Sequence, residues 1–216
     1  MNLQKQMLDL FDRSTFSFKQ LKETYSADEI EQIKCAYKTN WQQWKKLNQE
    51  ITSLFSGDLA MLQPKVESWT NGWNIRNHFW CAYRSSNRKE ENACLATLLN
   101  KKQYQVYLMF QHYKSDQRNG SIEEYNALLE QINEWSQAID IQHYFIWPQV
   151  EHELEDHLPL SEYLASKELQ RSFKEQLLDR TFQIGRLYLT EDLPLIDCEK
   201  QTVATLEELA RLYKKI

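Results

Sequence analysis

Glycine and proline are scarce, four of each in 216 residues, and they stand singly at Gly57, Pro64, Gly72, Gly120, Pro148, Pro159, Gly185 and Pro194. The closest two glycines are fifteen residues apart, so neither Gly-x-Gly-x-x-Gly nor a phosphate-binding Gly-x-x-x-x-Gly-Lys loop is present. A dinucleotide-binding dehydrogenase fold is excluded on that ground. No flexible linker divides the chain either, which predicts one α+β domain over residues 1–216. Its expected parts are a helical amino-terminal part (1–62), a sheet-rich core (69–148) and a helical carboxy-terminal part (160–216).

Cysteine is equally uninformative as a site. Cys35, Cys81, Cys94 and Cys198 are far apart and form no Cys-x-x-Cys pair, so neither a zinc site nor a disulfide framework is indicated and reduced thiols are expected. There is no Gly-x-Ser-x-Gly elbow. No apolar run approaches a membrane span, and the opening MNLQKQMLDLFDRS carries acids inside its apolar stretch. The expectation is a soluble, cytoplasmic protein with no membrane partner and no cofactor.

What is plentiful is aromatic residues, with seven Trp and eleven Tyr, and locally unbalanced charge. The net charge is −5, yet Trp69 to Arg118 holds eight Lys or Arg against three acids, while Asn119 to Ser166 holds ten acids and no Lys or Arg. Either the two segments neutralise each other inside the fold, or the basic one is a surface for an anionic partner.

Ser26 with Glu29 makes a capping box. Ile30, Ile33, Tyr37, Trp41, Trp44, Ile51 and Phe55 follow at helical spacing, which predicts a long amphipathic helix ending near Gly57. Ser121 with Glu124 opens a second helix whose Tyr125, Leu129, Ile132 and Trp135 share a face. Two apolar runs around Asn100, Lys101 and Lys102 read as a hairpin, and His143 to Trp147 as a short strand. A third helix is predicted from about Ser161 to Tyr188 and a last from Thr202 to Leu212. The architecture expected is an antiparallel sheet of about four strands flanked by amphipathic helices.

Read as one strand, Ile75 to Arg84 places Ile75, Asn77, Phe79, Cys81 and Tyr83 on one face and Arg76, His78, Trp80, Ala82 and Arg84 on the other. The second face is cationic and aromatic and suits an anionic or flat ligand. At the end of the last central strand, Gln111 and His112 could reach a ligand beside it. Arg180 falls inside the apolar stripe of the third predicted helix, where a guanidinium needs either a carboxylate partner or a ligand. Arg76, His78, Trp80, Arg84, Gln111, His112 and Arg180 are therefore the candidate ligand-binding residues.

The segment EHELEDH at residues 151–157 has a metal-like composition, but its two histidines lie five apart, roughly 140° around a helix at ~3.6 residues per turn. A metalloprotease helix needs a gap of four. An acidic turn is the expectation, with no metal site.

The stretches WTNGWNIRNHFWCAYRS, LLNKKQYQVYLMFQHYKS and YFIWPQVEHELEDHLPLSEYL resemble a family of uncharacterised bacterial proteins of about 210–220 residues. The resemblance runs over nearly the whole chain and implies a bacterial cytoplasmic protein without an established activity. Some members are labelled glucose-6-phosphate 1-dehydrogenase, a name that the missing nucleotide motif does not support. No site residues carry over.

The functional expectation is a module that binds a small anionic or aromatic ligand. A nucleic-acid module is the first alternative: Trp73, Trp80 and Tyr83 would stack on bases while Arg76, Arg84, Arg88, Lys101, Lys102 and Lys114 contact phosphates. An enzyme using His78 or His112 as general acid or base is the second. A homodimer is expected if Trp41 or Trp44 lies in an exposed apolar patch.

Overall fold

The computed structural model describes residues 2–150 and 157–216. Its elements run α1 (Lys5–Asp9), α2 (Phe18–Thr24), α3 (Ala27–Leu54), β1 (Lys65–Val66), β2 (Thr70–Asn71), β3 (Asn74–Ile75), β4 (His78–Tyr83), β5 (Ala93–Asn100) and β6 (Gln103–Phe110). Then follow α4 (Ile122–Asn126), α5 (Ile132–Ser136), β7 (Tyr144–Pro148), β8 (Leu158–Pro159), α6 (Leu160–Ala165), α7 (Lys167–Leu177), β9 (Phe182–Leu189) and α8 (Cys198–Tyr213).

The fold is α+β as expected, but its main sheet has seven antiparallel strands, in the order β1-β4-β5-β6-β9-β7-β8, rather than about four. The largest of the added strands is β9, which lies between β6 and β7 in the middle of the sheet. The helix expected from Ser161 to Tyr188 therefore ends at Leu177. Leu177, Ile184 and Leu187 fit a helical spacing, whereas Phe182, Ile184 and Tyr188 fit alternation. Cross-strand pairing on both sides decides for the strand.

The two-residue step between β5 and β6 has no glycine because Asn100 closes it, its Oδ1 accepting from the backbone N–H groups of Lys102 and Gln103 at 2.9 and 3.1 Å. In the strand expected from Ile75 to Arg84, pairing breaks at Arg76 and Asn77. Ile75 pairs in the small β2–β3 hairpin, and β4 begins at His78. Ile75 and Phe79 stay on the core side and Arg76, His78 and Trp80 on the other, but at the break Asn77 joins the latter group in one cleft.

One face of the sheet carries Phe79, Cys81, Tyr83, Leu95, Leu99, Tyr104, Val106 and Leu108 into the main core, against α3 and α8. Both predicted capping boxes form, at Ser26 with Glu29 and at Ser121 with Glu124. Trp44 is fully buried, and the indole N–H of half-buried Trp41 donates to the Glu67 carbonyl at 2.6 Å. Of the two tryptophans whose exposure would mark a dimer face, Trp44 is covered within the chain and Trp41 is half-buried.

On the opposite face Trp80, Ala82, Leu98, Tyr107, Met109, Trp147 and Leu187 form a second, smaller apolar cluster. Gly185 belongs to this face, opposite Tyr107 and Phe145. A Cβ there would lie 2.5 Å from the Tyr107 Cα and collide with the Val106 carbonyl, so only glycine lets β6 and β9 approach this closely.

Among the described residues, acids of the 119–166 segment pair with the carboxy-terminal part, Glu130 with Lys174 at 2.9 Å and Glu134 with Lys215 at 3.5 Å. In the basic segment Arg76 pairs with Glu67 at the site below, whereas Arg88 donates to the Lys214 and Ile216 carbonyls.

Candidate functional site: a cleft along β6

A cleft of about 680 Å³ lies on the second face of the sheet. Trp80, Leu98, Tyr107 and Met109, from β4, β5 and β6, contribute its apolar and aromatic lining. Alternation puts these four on one side of the sheet, and the Trp80 indole N–H fixes the Tyr107 ring by donating to its hydroxyl at 3.0 Å. Lys101 just precedes β6 and His112 follows it, so the lining spans the strand, about 23 Å at ~3.3 Å per residue.

At the Lys101 end the lining is charged. Glu67 Oε2 accepts from Arg76 Nη1 at 3.0 Å and lies 3.8 Å from His78 Nε2. Arg76 Nε donates to the Ser68 carbonyl at 2.9 Å, and His78 Nδ1 lies 2.8 Å from Asn77 Oδ1. Arg13 reaches the cleft from the segment after α1, with its guanidinium 5.5 Å from the Tyr37 ring centroid. Its Nη1 is buried without a hydrogen-bond partner among the described residues. The lining thus sets three permanent cations, Arg13, Arg76 and Lys101, against one carboxylate, Glu67.

At the other end stand Gln111, His112 and Gln149. His112 Nε2 lies 3.0 Å from Thr181 Oγ1, and that hydroxyl donates to Gln149 Oε1 at 3.0 Å. Burial holds the His112 imidazole below its ordinary titration value, opposed in part by the Asp179 carboxylate.

Of the seven candidates from the sequence, Arg76, His78, Trp80, Gln111 and His112 line this one cleft. Arg84 does not. It is buried, with Nε donating to the Glu91 carbonyl at 3.1 Å and Nη2 to Gln111 Oε1 at 2.8 Å, so it orients a cleft residue from behind. Arg180 lies beyond the end of α7 and is exposed, so the premise of a guanidinium on an apolar helix face falls away. Arg186, half-buried at the edge of the core, is bonded to Glu208 at 3.2 Å and lies over the Tyr144 ring.

Sequence reasoning missed Arg13, Glu67, Tyr107 and Gln149 as lining residues. Tyr107 was legible as a second-face residue by parity. The other three come from irregular segments, where no periodicity signals direction.

Cys81, Cys94 and Cys198 are buried, and burial pushes each thiol up, Cys198 to about 11, so they are protonated core groups. Among the described residues no three His, Cys, Asp or Glu gather in a metal-binding group. Most of the EHELEDH segment, residues 151–156, lies outside the described residues; His157 packs edge-on against Trp147 with ring centroids 4.6 Å apart. No described helix is long and apolar enough to cross a membrane.

A protein-family model matches residues 3–216. The chain belongs to a family of uncharacterised bacterial proteins. A relative from Haemophilus influenzae, described as an uncharacterized protein, is 27% identical over 216 residues, covering 100% of this chain and 98% of its own. Family membership thus agrees with the sequence resemblance and assigns no chemistry to the cleft.

Proposed function

We propose that this family member binds a small anionic ligand with a flat or apolar body in the cleft along β6. The observation that carries the reading is the cationic end of an aromatic-lined cleft: Arg13, Arg76 and Lys101 against Glu67 alone, with Arg13 Nη1 unpaired. An anionic oxygen is the group that balances this excess of cations and can accept from the remaining guanidinium N–H groups. The Trp80 and Tyr107 rings beside it offer a planar or apolar body its contact area.

The nucleic-acid alternative asks several of the same residues to face outward. Tyr83 is buried in the main core, and Arg84 and Arg88 spend their guanidinium groups on chain carbonyls and Gln111. Only Trp73 of the three proposed stacking residues is well exposed, which is why we prefer the small ligand.

The test is a thermal-shift and calorimetric panel of inorganic phosphate, ribose 5-phosphate, nucleoside monophosphates, NADP and short DNA and RNA, at low and high salt. A small anion should raise the melting temperature in wild type and lose that shift in Arg76→Gln. Stabilisation by nucleic acid alone, vanishing with salt, would replace this reading with the alternative.

A further inference from the structure

Thr181 and Gln149 do more than border the cleft, because between them they settle where the protons of His112 sit. Thr181 is fully buried, and its hydroxyl has a single proton, which it donates to Gln149 Oε1. Thr181 Oγ1 itself lies 3.0 Å from His112 Nε2, so the hydrogen bond between them requires the imidazole to be the donor. Nε2 then carries the ring proton, and in the neutral ring Nδ1 is an unprotonated acceptor. Nδ1 has no partner among the described residues. The ring is further held by Phe110, with centroids 5.0 Å apart, and it lines the cleft at the end remote from Arg76.

From this chain of bonds we infer that His112 is a fixed-tautomer acceptor in the cleft, its Nδ1 receiving a hydroxyl or N–H donor of the bound anion, with Thr181 and Gln149 as its positioning residues. The inference rests on the anion-binding reading and narrows it. The ligand carries its negative charge toward Arg13, Arg76 and Lys101 and a hydrogen-bond donor on the part that reaches His112. A bare anion satisfies only the first half. In His78 the Asn77 Oδ1 can only accept, so Nδ1 is the donor there, and the other ring nitrogen, Nε2, is turned toward the Glu67 carboxylate at 3.8 Å.

Two measurements test this. Nitrogen-15 spectra of the histidine-labelled protein at neutral pH read the tautomer directly and need no ligand. The expected signal from His112 is protonated Nε2 and unprotonated Nδ1, shifting toward the mixed-tautomer average in Thr181→Val. Protonated Nδ1 in wild type, or a tautomer unmoved by Thr181→Val, overturns the inference.

The second measurement titrates wild type, His112→Phe and His112→Gln with inorganic phosphate, ribose 5-phosphate and uridine monophosphate. At least one of the two donor-bearing anions should weaken about tenfold in both variants, on the scale of one lost hydrogen bond, while inorganic phosphate is unchanged. Equal binding of every anion to wild type and variants would sink the role of His112 while leaving the anion site standing. Binding of inorganic phosphate alone has the same meaning. No binding by any of the three would end both readings together.

Discussion

Asn48 offers the sharpest check on how this fold is held together. It sits in the middle of α3, is fully buried, and joins the helix to two strands through one amide. Its Nδ2 donates to the Trp44 carbonyl at 2.7 Å, while Oδ1 accepts from the Thr97 hydroxyl at 2.7 Å and from the Tyr83 hydroxyl. Replacing Asn48 by Ala leaves Tyr83 and Thr97 buried without that acceptor. A buried polar group deprived of its partner costs about 1–3 kcal/mol, so losing both places the expected destabilisation at about 2–6 kcal/mol. For a chain of this length each kcal/mol lowers the melting temperature by roughly 2–4 °C, which puts the fall at roughly 4–24 °C.

Equilibrium urea unfolding gives the free energy. The cycle of Asn48→Leu, Thr97→Val and the double variant then isolates the pair. Once the acceptor is gone, removing the Thr97 hydroxyl relieves an unpaired donor instead of breaking a bond, so the double variant should be more stable than additivity predicts by about 1 kcal/mol or more. A cost below about 0.5 kcal/mol for Asn48→Ala, or strict additivity in the cycle, would refute the hub.

Three further outcomes follow from other parts of the sheet. Gln105 is fully buried between Leu98 and Leu187 on the second face, and neither amide atom has a partner among the described residues. Gln105→Leu should therefore raise stability by about 1–2 kcal/mol in urea unfolding, and a loss would mean that the amide has a partner in solution. Gly185→Ala forces β6 and β9 apart and should cost about 3 kcal/mol or more, with soluble yield and unfolding midpoint as readouts; a near-neutral result would contradict the close approach. Because burial lowers the titration of His112 in the folded state, the unfolded chain takes up its proton first as the pH falls. The associated stability is fully present above about pH 6.5 and is lost as the pH drops through and below that value, a slope that His112→Gln should flatten.

Local signals in the sequence carried far in some places. The capping boxes at Ser26 and Ser121 formed because their partners lie three residues away, within reach of one helical turn. The parity of β4 and β6 held because a strand's alternation is fixed by backbone geometry, whatever packs against it. That parity alone brought Trp80, His78 and Gln111 to the face they now line, whereas His112, of the opposite parity, reaches the cleft from beyond the end of β6.

The failures share a cause. Phe182 to Leu189 has apolar positions compatible with both a 3.6- and a 2-residue period, and only hydrogen bonds to β6 and β7, distant in sequence, select the strand. The same uncertainty misplaced Arg180, which was put on a helix that stops before it. The positive face read from Arg76 and Arg84 was real as a list of side chains. Whether each charge stays free, however, depends on what long-range packing sets beside it: Glu67 for one, Gln111 and the Glu91 carbonyl for the other.

By itself, then, the sequence determined what local geometry controls: helix starts, strand faces, the Asn100 turn, and the absence of a nucleotide-loop motif. Tertiary structure alone decided the seven-stranded order, the meeting of Arg13 and Arg76 in one cleft, and the bond that fixes the His112 ring. Those contacts join residues tens of positions apart, and no period in a chain encodes a distance across a fold.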